Sequence, residues 1–156
     1  MASEEIIIPL GSIKKKRFIM KRILLIDEEK EPMKYYLMAL KQANYELIVT
    51  RTTDAAIKFL TDDNNQCPDL CILDYMLPPG NRYKGNPDCN QGMSTGRLLY
   101  NDIRGIYPDL PIIILTNSRD AFKEMKIINP NIPVLQKIEN APFDLVEFIK
   151  EVLAKS

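Results

Sequence analysis

Short apolar runs alternate with helix-spaced apolar positions from Arg22 to the end of the chain. Ile23-Leu24-Leu25-Ile26 is continuously apolar, the pattern of a strand covered on both faces. Met33, Tyr36, Leu37 and Leu40 then follow helical spacing, with Pro32 suited to a first turn. Leu47-Ile48-Val49 predicts a second strand. A second helix follows, with Asp54 as its cap and Ala56, Phe59 and Leu60 as its buried side. Leu70-Cys71-Ile72-Leu73 is a third strand. A third helix begins near Thr95 or Gly96 and carries Leu99, Ile103 and Ile106 on one face. Ile112 to Leu115 predicts a fourth strand, and Phe122, Met125 and Ile128 a fourth helix, ended before Pro130. Val134-Leu135 is a short fifth strand. Pro142 opens the last helix, with Leu145, Phe148, Ile149 and Val152 at i, i+3, i+4 and i+7.

Five strands alternating with five helices predict an α/β fold, a doubly wound parallel sheet with helices on both faces. One stretch breaks the rhythm. Residues 78–92 are rich in Pro, Gly and Asn and predict no regular structure over most of their length. Residues 1–20 are poorly patterned and read as an extension. Ile6 to Ile8 suit an extra edge strand or a sticky arm, and the basic run Lys14 to Arg17 a solvated arm.

Composition narrows the chemistry. The 156 residues suit one domain with its own core. Lys plus Arg and Asp plus Glu are 21 each, so no global charge favours nucleic acid or an anionic membrane. There is no His, which excludes Ser-His-Asp and Cys-His nucleophilic sites and HExxH zinc sites. Cys67, Cys71 and Cys89 are too few for a structural zinc without His. Their number is odd, and buried reduced thiols in a reducing cytoplasm are expected. No apolar run approaches the roughly 20 residues of a membrane span.

Ligands of an open parallel sheet bind beyond the C-terminal strand ends. The residues there are Asp27-Glu28-Glu29, Asp74, Thr116-Asn117-Ser118 and Lys137. Close carboxylates repel unless a cation intervenes. A hard divalent ion, with Lys137 and Thr116 beside it, suits a phosphoryl group on or near Asp74.

These residues resemble the receiver domain of two-component response regulators, including the single-domain chemotaxis type. The resemblance covers residues 21–156. It is carried by Ile23 to Glu29, Asp69 to Pro78, Pro111 to Ser118 and the strand ending in Lys137. It implies a flavodoxin-like three-layer sandwich with strand order 2-1-3-4-5. It also implies that Asp74 accepts a phosphoryl group from a sensor histidine kinase or a phosphotransfer protein. Mg²⁺ would be held by Asp27, Glu28, Asp74 and the backbone carbonyl of Met76. Thr116 and Lys137 would contact the phosphoryl group, and a protein target would respond. The implied role is that of a phosphoacceptor, not an enzyme acting on other substrates. A non-phosphorylated pseudo-receiver, a pure interaction module, is the alternative.

Several positions depart from the family. Glu28 stands where Asp is commoner, Ile138 follows Lys137 where Pro is usual, and Val134 takes the place of the usual switch aromatic. Gly96 best matches the family's glycine after the acceptor, but it lies 22 residues beyond Asp74, which implies an inserted loop over about 79–95. Arg82 and Lys84 in that loop read as a solvated loop tip or as a lid over the site. The chain reads as a stand-alone receiver or a fragment of a longer protein, with pairing of two copies through one face left open.

Overall fold

The computed structural model describes the backbone of residues 3–10 and 13–156, with side chains from Met20 onward. Strands β1 (Ser3–Leu10) and β2 (Ile13–Met20) form an antiparallel two-stranded sheet of their own. Ile6 to Ile8 therefore pair with β2 and not with the main sheet. The side chains of the basic run Lys14 to Arg17 lie outside the described residues.

The main sheet contains β3 (Arg22–Ile26), β4 (Glu46–Thr50), β5 (Leu70–Leu73), β6 (Ile112–Thr116) and β7 (Val134–Gln136). All neighbours are parallel, in the order β4-β3-β5-β6-β7. Counted within this sheet, that is the expected 2-1-3-4-5. The three central strands are buried along nearly their whole length, while the edge strands β4 and β7 are half-buried. This explains why the central strands read as unbroken apolar runs.

Alternate residues feed two cores. Leu24, Ile26, Leu73 and Ile114 pack with α2 (Thr53–Thr61), α3 (Thr95–Ile106) and α4 (Asp120–Ile128). Ile23, Leu25, Ile72 and Ile113 pack with α1 (Lys30–Gln42) and α5 (Pro142–Ala154). Among the described residues, no helix is long and apolar enough to cross a membrane.

Local details correct three expectations. Thr52, not Asp54, caps α2, its side chain accepting from the Ala55 N–H. Asp54 instead accepts from the backbone N–H groups of Asn81 and Arg82, at 2.9 and 3.0 Å. In α4 the buried residues are Ala121 and Met125, with Phe122 and Ile128 exposed, because this short helix meets the sheet along one narrow edge. Cys71 and Cys89 are buried, but Cys67 is exposed, and all three are free thiols.

The long loop over 79–95 lies between β5, which ends at Leu73, and α3. Between them lies a short 3-10 stretch, Pro87–Gly92, broken at Asn90 and Gln91, where φ is positive. The return is tight. A Cβ on Gly96 would stand 2.5 Å from Tyr75 Cα and 2.6 Å from the Asp74 carbonyl oxygen. Only glycine lets α3 approach the end of β5 so closely.

Candidate functional site

Register builds the site. Ile26 stands opposite Leu73 in the paired β3 and β5, so Asp27 and Asp74 emerge side by side, one residue past that rung. The ladder continues through them, with Asp74 N donating to Ile26 O at 2.9 Å and Asp27 N to Thr50 O at 3.1 Å. Lys137 follows β7 in the same way, its N–H donating to Thr116 O at 2.9 Å. Both aspartates are buried, and Lys137 is only 9% exposed.

The two carboxylates are held alike. Each accepts, through Oδ1, the backbone N–H two residues on: Glu29 N to Asp27 at 2.9 Å, and Met76 N to Asp74 at 3.2 Å. Each presents Oδ2 to Lys137, whose Nζ lies 2.7 Å from Asp27 and 3.3 Å from Asp74. Glu29 Oε1 is 3.8 Å from the same ammonium.

Burial pushes the Asp27 carboxyl up to about 6, with the neighbouring Asp74 charge adding to the rise and Lys137 opposing it. For Lys137, burial alone would lower the ammonium. Asp74, Asp27 and Glu29 together outweigh it, and the net direction is upward.

Asp27, Glu29 and Asp74 can each place one oxygen so that all lie within 4.8 Å of one another. These are oxygen-only donors, as a hard divalent cation prefers. Three ionised carboxylates against one ammonium leave two negative charges, so the donor set and charge fit Mg²⁺. Glu28 is exposed and is not in this group. The turn that brings the Glu29 N–H onto Asp27 also brings its side chain towards Lys137, while Glu28 faces solvent.

Thr116 ends β6 and is fully buried. Its Oγ1 accepts from Ser118 N at 3.2 Å, and among the described residues its own O–H has no acceptor. That hydroxyl is free to donate. Met76 lies beside a groove of about 330 Å³, which Glu28, Glu29, Leu77, Pro78 and Met93 also line.

No hydrogen bond or ion pair among the described residues joins Arg82 or Lys84 to Asp27, Glu29 or Asp74. Arg82 Nε pairs with Asp102 Oδ2 of α3 at 2.9 Å, and Tyr83 OH donates to the same oxygen at 2.5 Å. Thr53 and Asp54 of α2 pin the start of the loop, and Lys84 is exposed. Of the 79–95 loop, Pro79 and Gln91 to Met93 line the groove that Glu28 and Glu29 share.

Sequence reasoning missed two supports. Glu29 was overshadowed by its neighbour Glu28, since a turn decides which of two adjacent acids faces inward. Tyr36 reads as a core position of α1, yet its O–H meets Lys137 O at 2.9 Å and Asn140 O at 2.6 Å. It ties down the loop that carries Lys137. A tyrosine on an otherwise apolar helix face was the only available signal.

No protein-family model and no curated protein matches the chain. Solved structures do. A CheY-like response regulator receiver domain protein from Methanospirillum hungatei is 22% identical, over 86% of this chain and 94% of that one, with a TM-score of 0.67. A response regulator receiver domain protein from Clostridium thermocellum is 20% identical, over 87% and 96%, also at 0.67. A chemotaxis response regulator of Vibrio cholerae is 19% identical, over 86% and 99%, at 0.64. The chain has the fold of the response-regulator receiver domain.

Proposed function

We propose that this chain is a phosphoacceptor signalling module. Asp74 takes a phosphoryl group from the phosphohistidine of a sensor histidine kinase or phosphotransfer protein, and the modified domain changes its hold on a protein target. The observation that carries this reading is the convergence of Asp27, Glu29 and Asp74 on Lys137 Nζ at the C-terminal edge of the sheet.

In the transfer, an Asp74 oxygen forms the new O–P bond while the P–N bond to the donor imidazole breaks. The electron pair stays on that nitrogen, which takes up a proton. Lys137 stabilises negative charge on the phosphoryl oxygens from one side. Thr116 donates its unclaimed hydroxyl to another oxygen. Asp27 and Glu29, with Asp74, would hold Mg²⁺, and the Met76 carbonyl would complete the protein ligands. The ion supplies neutralisation of the transferring group's charge. The Met76 N–H keeps the acceptor carboxylate in place.

The chain acts here only on itself, as acceptor, and is not an enzyme for other substrates. Its recognition of kinase and target is protein–protein, without nucleic acid or membrane. Its net charge of zero supports this. Incubation with acetyl phosphate and Mg²⁺ tests the reading: a single phosphoryl adduct on Asp74 supports it. A folded chain that takes none is an interaction module of the pseudo-receiver kind.

A further inference from the structure

Tyr75 follows the acceptor directly, and its side chain is fully buried. Its O–H donates to Oε2 of Glu124 in α4. Ser94 Oγ, at the end of the insertion, lies 3.3 Å from the same oxygen. The Tyr75 carbonyl accepts from Gly96 N at 2.8 Å, at the start of α3. Tyr75 therefore joins the acceptor loop to the returning insertion and to α4. Burial, reinforced by the Glu124 carboxylate, holds its phenol well above the usual range, so it remains a donor at any working pH.

Helix α4 is thinly held otherwise. Only Ala121 and Met125 are buried, while Phe122 and Ile127 are 55% and 78% exposed. An element with so few apolar contacts opens locally at low cost, and a partly buried hydrogen bond to a charged group is a large part of its anchorage.

We infer that Tyr75 is a positioning residue that ties α4 and the end of the insertion to the acceptor loop, and carries the state of Asp74 to them. The carrying step rests on the phosphoacceptor reading. Tyr75 lies between Asp74 and Met76, whose N–H bonds Asp74 Oδ1. A phosphoryl group on Asp74 replaces that carboxylate by an acyl phosphate and forces the 74–76 turn to adjust. The Tyr75 hydroxyl moves with the turn, and α4 loses or shifts its Glu124 anchor.

The test is amide hydrogen exchange over residues 120–128 of the full chain. Y75F keeps the ring and removes only the hydroxyl. Without ligand, α4 exchange in Y75F is expected to rise about tenfold, with α1 and α5 unchanged. E124Q retains an acceptor and keeps most of the protection. Loading with Mg²⁺ and beryllium fluoride, a mimic of the acyl phosphate, accelerates α4 exchange in the native chain and adds little in Y75F. Unchanged α4 exchange in Y75F without ligand overturns the tie, whatever loading does. Faster exchange with an undiminished response to loading overturns the coupling. A native chain that does not load sinks the phosphoacceptor reading and with it the coupling, while the ligand-free comparison still decides the tie.

Discussion

Lys137 Nζ lies closer to Asp27, at 2.7 Å, than to Asp74, at 3.3 Å. The lysine thus spends its strongest contact on the residue whose charge is least comfortable. Even so, Asp27 titrates near 6, mainly through burial and then through Asp74. A carboxyl raised from 3.8 favours the folded state at low pH, fully below about 3.8, and that contribution is lost as pH rises through about 6. The cost at neutral pH is on the order of 3 kcal/mol. Urea unfolding of native protein and D27N, without metal, should show the variant gaining relative stability between pH 4 and 7 and holding that gain above.

Mg²⁺ should reverse this penalty. A cation that binds only the folded chain raises stability by about 2.7 kcal/mol at one hundred times its Kd. Thermal unfolding at neutral pH against Mg²⁺ concentration should show this rise, smaller at pH 5, where Asp27 is mostly protonated. E29Q should weaken the Mg²⁺ effect more than E28Q, because Glu29 and not Glu28 shares the cluster with Asp27 and Asp74.

Removing the lysine leaves two buried carboxylates facing each other. K137M should destabilise the metal-free protein by about 3–5 kcal/mol at neutral pH, as for other broken buried pairs. Denaturant midpoints at pH 7 and pH 5 should show the loss shrinking as Asp27 takes up a proton.

Gly96 admits no side chain without backbone movement, since its Cβ would fall within 2.6 Å of the Asp74 carbonyl oxygen. G96A should cost about 1–3 kcal/mol, the usual range for overpacking, and urea midpoints would register it.

The Arg82–Asp102 pair is partly exposed on both sides, and neither residue bonds to the acidic cluster. Replacing Arg82 and Lys84 with Ala should cost under about 1 kcal/mol, and intact-mass time courses should show acceptor phosphorylation within twofold of native. A larger rate change would restore a role for the loop tip at the site.

The sheet was legible because Ile23 to Ile26, Leu70 to Leu73 and Ile112 to Leu115 are buried on both faces and so carry no polar interruption. Asp27, Asp74, Thr116 and Lys137 were legible because each ends its own strand. What the sequence hid depends on turns and on long-range partners. Choosing Glu29 over Glu28 needs the turn closed by Asp27. Placing Arg82 needs Asp102, twenty residues away. The support from Tyr36 spans 101 residues. No local pattern encodes such pairings.

Acid-quenched intact mass after incubation with acetyl phosphate tests the central claim most directly. The expected result is one phosphoryl adduct that forms with Mg²⁺, vanishes with chelator and is absent from D74N. A folded native chain without an adduct at excess donor and Mg²⁺, or an adduct that persists in D74N, would contradict the assignment of Asp74 as acceptor.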